Sequence, residues 1–133
     1  MKREKHLVVK NKQADESAQT LMRAVVEGIQ EKKGVNITVL DLTGIENTIT
    51  SYFVICDGDS NVHVDAISDS VEEYVREKMD EKPYHIEGRE NAQWILLDYL
   101  DVVVHVFQRP VRGFYNLESL WADGQRTDIP NFF

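Results

Sequence analysis

Cysteine is almost missing from this chain. Cys56 is its single thiol, so no internal disulfide can form and no Cys-x-x-Cys metal site exists. Long apolar runs are missing too: no stretch approaches the roughly 20 residues that span a bilayer. The opening residues 1–6 are charged and no long apolar segment follows them, so no secretory leader is expected and a cytoplasmic location fits. Positive charge is scarce, with 15 Lys and Arg against 23 Asp and Glu and a net charge of −8. A free-standing nucleic-acid binder needs clustered bases to displace counterions from phosphate. Here the bases are scattered, apart from Lys2, Arg3, Lys5, Lys10 and Lys12 near the amino terminus. An acidic surface suits a basic protein partner, because opposite potentials speed encounter and set orientation. The same acidity also serves solubility alone, so charge leaves both readings open. What is present is ordinary for a globular chain: 133 residues, 42% apolar and 29% charged, enough for one domain with a sizeable core.

Periodicity outlines the elements. Residues 1–13 read as a flexible basic arm. A helix is expected from about residue 15 to residue 33, with Ala18, Leu21, Met22, Val25 and Ile29 as its buried stripe and Gly34 stopping it. Val35, Ile37 and Val39 alternate as a strand. The apolar run at residues 51–56 suits the centre of a sheet, with Phe53, Val54 and Ile55 buried. Ser60 is placed to cap a helix whose inner face is Val64, Ile67, Val71 and Val75 and which ends before Lys82-Pro83. A short strand is expected at residues 84–86, then two strands at Trp94–Asp98 and Val102–Phe107 joined by an acidic turn. A last helix is expected from about residue 112 to residue 120, and residues 122–133 read as an irregular tail. This order implies a mixed β-sheet packed by helices, an α/β or α+β fold with one domain over residues 14–121.

The two late strands are apolar on both faces. Trp94, Leu96 and Asp98 share one face and Ile95, Leu97 and Tyr99 the other; Val103, His105 and Phe107 likewise oppose Val102, Val104 and Val106. Either helices cover both faces, or one is a sticky surface for another macromolecule.

Chemistry is harder to find. Asp57-Gly58-Asp59-Ser60 places two carboxylates at a strand end before a helix, an arrangement that can share a divalent metal and hold phosphate. A nucleotide- or metal-dependent transferase using Asp57 and Asp59 is therefore the enzyme alternative. No Asp-x-Asp pair follows on a later strand, Asp59 would repel the phosphate, and turn or capping roles account for both acids. His63 and His105 lack Cys, Ser or His neighbours at ligand or nucleophile spacing, and His105 reads as a hydrogen-bonded core or interface residue. Cys56 reads as a small buried hydrophobe, and Asp98 and Asp101 as turn residues. No metal and no cofactor is expected. The aromatics of the last third, Trp94, Phe107, Tyr115 and Trp121, are either core or binding anchors; Trp94 is the outward candidate and Trp121 an internal lid.

The motifs Tyr52–Gly58, Ser60-Asn61, Ala66-Ile67, Glu87-Gly88, Trp94–Asp98, Asp101–Phe107 and Tyr115-x-Leu-Glu-x-Leu-Trp121 together resemble the ribosomal silencing factor (RsfS, or Iojap/YbeB) family, in order and spacing from Ala18 to Trp121. Ser51 and Asp57 depart from it, where the family often has Asp and a small or hydroxyl residue. The resemblance implies a nucleotidyltransferase-like fold without catalytic acids and a non-enzymatic role. It implies binding to the large ribosomal subunit through ribosomal protein L-fourteen, which blocks joining of the small subunit and represses translation under nutrient limitation. By position, Trp94, Leu96, Phe107 and Tyr115 would be the partner-binding patch. A homodimer through the same face is compatible with it.

Overall fold

The computed structural model of the protein describes the backbone of residues 2–131 and the side chains from Glu16 onward; Phe132 and Phe133, the end of the expected tail, lie outside the described residues. Its elements are α1 (Lys2–Glu31), β1 (Val35–Asp41), β2 (Tyr52–Gly58), α2 (Asn61–Met79), β3 (His85–Glu87), β4 (Trp94–Asp98), β5 (Val102–Gln108), α3 (Arg109–Tyr115), α4 (Leu117–Leu120) and β6 (Gln125–Asp128). The segment read as an arm is continuous with α1 in the backbone.

Local chemistry explains the helix boundaries. At the end of α1, Lys33 takes the left-handed conformation (φ 57°), and the Gly34 N–H donates to the Ile29 carbonyl at 3.0 Å. Gly34 is required there for space, since a Cβ would lie 2.4 Å from Ile29 Cγ2. Ser60 caps α2 as expected, its hydroxyl accepting from the His63 N–H at 3.1 Å, and Asp80 ends it at φ 54°. The expected final helix is two short ones, because Asn116 adopts a left-handed conformation (φ 49°) that α-helical hydrogen bonding cannot pass through.

Six strands form one mixed sheet in the order β3-β4-β5-β2-β1-β6. Among the described residues only β2 and β5 pair in parallel, with Phe53 opposite Val103 and Ile55 opposite His105; the other neighbours are antiparallel. The domain is α+β. Its larger core lies between one sheet face and the pair α1/α2: Ala18, Leu21, Val25 and Ile29 from α1, and Val64, Ile67, Val71 and Val75 from α2, close over Val54, Cys56, Ile95, Leu97, Val104 and Val106. The Ser70 hydroxyl donates to the Gly28 carbonyl at 2.7 Å and ties the two helices together. On the opposite face a smaller core of Leu40, Leu42, Ile55, Phe107 and Leu117 sits under α3 and α4. The two faces of β4 and β5 are therefore treated differently: long helices bury one, and two short helices only partly cover the other.

Two features depart from the sequence reading. β6 forms inside the stretch expected to be irregular, pairing with the edge of β1; the Thr38 hydroxyl donates to Asp128 Oδ1 at 2.8 Å and the Ile129 N–H to the Ile37 carbonyl at 2.8 Å. All four of its residues are exposed, so no apolar alternation marked it. The chain also stays extended through Gly58, which places Asp57 inside β2, not in a turn. At the β3–β4 connection Gly88 sits at φ 91°, and a Cβ there would lie 1.9 Å from the Trp94 carbonyl oxygen. That glycine lets the hairpin deliver Trp94 to the sheet.

Candidate protein-docking surface

The half-covered face carries a row of rings. β4 and β5 place Trp94 opposite Phe107 and Leu96 opposite His105. The Trp94 ring stacks on Phe107 with centroids 4.9 Å apart and meets Tyr115 of α3 at 4.6 Å. Its indole N–H donates to His105 Nδ1 at 3.1 Å. His105 in turn meets Phe53 edge-on at 4.7 Å, and Phe53 meets Trp121 edge-on at 5.3 Å. Tyr115, Trp94, His105, Phe53 and Trp121 thus run as one aromatic row across the sheet and its short helices. Ring pairs in such geometry add attraction beyond simple burial.

Exposure sorts the expected site residues. Tyr115 is 49% exposed, and Phe114 beside it and Leu120 of α4 are 82% and 75% exposed. Trp94 and Leu96 are half-buried. Phe107 is a correction to the expected surface patch: it is 0% exposed, a core ring on which Trp94 and Tyr115 lean. The apolar side chain at position 107 was visible in the sequence, but α3 folding back over β5 was not. Phe53 is also only half-buried, whereas Val54 and Ile55 are fully buried as expected. Trp121 packs on the smaller core, in keeping with a lid. Nothing in the sequence marks Phe114, or Leu120 of the Tyr115–Trp121 motif, as an exposed anchor, because a short helix with apolar residues on several sides has no clean periodicity.

His105 is held in one state. Nδ1 accepts from Trp94, so the ring proton sits on Nε2, which is buried without a hydrogen-bond partner. Burial lowers its pKa from 6.5 to about 3. The neutral ring is thus favoured in the fold, while the unfolded chain takes up a proton near pH 6.5. The stability this contributes is complete above that pH and is lost as pH falls towards about 3. Wild-type protein is therefore expected to lose roughly 1 kcal/mol per pH unit from this residue over that window. Denaturant midpoints of wild type and His105→Gln, followed against pH, check it: the variant should lack this component of the slope.

Beside the aromatic row lies a buried ion-pair cluster. Asp57 is 2% exposed. Arg112 Nη1 donates to Asp57 Oδ2 at 3.1 Å and to the Asn36 carbonyl, Nη2 donates to Thr38 Oγ1 at 2.9 Å, and Nε reaches Glu118 Oε2 at 3.3 Å. Arg109 Nε donates to Asp57 Oδ1 at 2.9 Å and its Nη2 to Asp59 Oδ1 at 2.9 Å. The Asn36 amide also donates to both Asp57 oxygens at 3.2 Å. The expectation that Asp57 is a turn or capping residue is thereby corrected: it anchors α3 to β2. Asp59 is exposed and holds only Arg109 and the neighbourhood of His63. Both carboxylates of the enzyme alternative are engaged by guanidinium groups, and among the described residues no group of three or more His, Cys, Asp or Glu is arranged to hold a metal. Cys56 is fully buried, and burial pushes its thiol pKa up, as for a small core hydrophobe. The Asp98 carboxylate accepts from the Leu100 N–H at 2.8 Å, the turn role expected of it.

A sequence profile described as "Ribosomal silencing factor during starvation" matches residues 15–132. The chain belongs to the ribosomal silencing factor family. The ribosomal silencing factor RsfS of Halalkalibacterium halodurans is 37% identical over 113 residues, covering 85% of this chain and 95% of that protein. The chloroplastic protein Iojap of Zea mays is 34% identical over 120 residues, covering 89% of this chain and 51% of that longer protein. The crystal structure of a Chromobacterium violaceum protein superimposes with a TM-score of 0.74 at 31% identity, covering 86% of this chain and 94% of that one. Family membership and the mixed-sheet α+β fold agree, and the family name implies translation regulation. No described helix is long and apolar enough to cross a membrane.

Proposed function

We propose that this ribosomal silencing factor acts in the cytoplasm as a non-enzymatic repressor of translation. It binds the large ribosomal subunit through ribosomal protein L-fourteen, excludes the small subunit sterically, and represses translation under nutrient limitation. The observation that carries the reading is the exposure of Phe114 and Tyr115 on α3, with Tyr115 against half-buried Trp94, and of Leu120 on α4. Exposed apolar side chains grouped beside a ring system mark interaction surfaces in soluble proteins, and Trp and Tyr supply large contact area at low entropic cost. Trp94, Leu96 and Tyr115 form the contact, with Phe114 and Leu120 extending it and Phe107 supporting it from below. The net charge of −8 favours encounter with a basic ribosomal protein. Asp57 and Asp59, turned towards arginines, serve the fold and leave no carboxylate pair for metal.

Sedimentation with separated ribosomal subunits tests the reading. The protein is expected to travel with large subunits, not small ones, and to prevent their joining when the two are mixed. Subunits that join normally with the protein still bound would overturn steric exclusion. Micromolar magnesium–nucleotide binding by calorimetry, lost in Asp57→Ala/Asp59→Ala, would favour the transferase instead.

A further inference from the structure

The docking side chains stand on helices too short to hold themselves in place. α3 has seven residues and α4 four, with a left-handed break at Asn116 between them. Isolated helices of this length are unstable in water, so the pose of Phe114, Tyr115 and Leu120 must come from tertiary contacts. Leu117, with Val111 and Trp121 packed on the same small core and Tyr115 leaning on Trp94, supplies the apolar ones. The buried polar one, beside the more exposed Arg109, is Arg112. Its guanidinium, with 10% of the side chain exposed, lies beneath α3 and reaches the β1 bulge at Asn36, Thr38 of β1, Asp57 of β2 and Glu118 of α4. A single side chain therefore ties both short helices to two strands. Its forked, planar donors fix direction in a way an ammonium cannot.

We infer that Arg112 is a positioning residue for docking: it holds the α3–α4 platform in the orientation that presents Tyr115 and Phe114 to the partner. The inference rests on the docking reading above. Arg112 itself touches no partner, being buried, and acts through the helices it clamps. Asp57 and Glu118 are its seats, and Arg109 shares the Asp57 carboxylate from the solvent side with half its own side chain exposed.

Arg112→Lys tests this, because it keeps a cation against Asp57 and gives up the fork to Thr38 and Glu118. Amide exchange across residues 113–121 should accelerate about tenfold or more while residues 52–56 stay protected, as expected when a local unit loosens without global unfolding. Dissociation from large ribosomal subunits should accelerate by about tenfold, with the association rate little changed, because loss of a buried tie acts mainly on dissociation. Asp57→Asn/Arg112→Gln removes both charges together and avoids an unpaired buried ion; it should loosen residues 113–121 further and weaken binding more. Loosened helices with unchanged dissociation in both variants would overturn the positioning role and leave the docking reading intact. Faster dissociation without any change in exchange would also overturn it, by making Arg112 a direct contact. If wild-type protein does not bind large subunits at all, the docking reading fails, and the exchange data alone then report whether Arg112 clamps the platform.

Discussion

Tyr115→Glu is expected to abolish co-sedimentation with large ribosomal subunits and leave the fold nearly as stable as wild type. Tyr115 is 49% exposed and its ring meets Trp94 at 4.6 Å, so it contributes contact area to a partner but little to the core. Truncating an anchor and setting a carboxylate against an apolar partner costs several kcal/mol, about 100-fold or more in affinity. Sedimentation and thermal melting on one preparation check both halves. A folded variant that still binds would move the interface off α3. Trp94→Glu is a less clean probe: the side chain is half-buried and donates to His105, so its replacement should lower both stability and binding.

Phe107→Ala carries the largest expected loss of stability, about 3–5 kcal/mol, because a fully buried ring is removed and a cavity is left beneath Trp94 and Tyr115. The denaturant midpoint should fall with little change in slope, the sign of lost native stability and not of an altered unfolded state. Subunit binding should also weaken, because Trp94 and Tyr115 lose the ring they rest on. Normal stability with lost binding would mean instead that position 107 meets the partner directly.

Several parts of this molecule were legible before any tertiary contact was known. The stripes of α1 and α2, the Ser60 cap and the apolar strands β2, β4 and β5 follow from periods of 3.6 and 2 and from cap chemistry, which are local properties of the chain. The sequence motifs through Trp121 likewise carried the family. Other parts had no local signature. β6 is polar throughout and exists because β1 offered an open edge. Asp57 looks like a turn acid in sequence, and Arg109 and Arg112, more than fifty residues away in the chain, together with Asn36 make it a buried anchor. Phe107 and Tyr115 both read as candidate anchors, and their difference in exposure comes from how α3 folds over β5.

The sequence by itself therefore determined the fold class, the family and the presence of an aromatic-rich carboxy-terminal third. Periodicity, capping and motif spacing are all written within short stretches of chain. Tertiary structure alone decided which aromatic is core, which is surface, and what holds the surface in place. Exposure and ion pairing depend on which distant segments pack together, and no window of neighbouring residues contains that information.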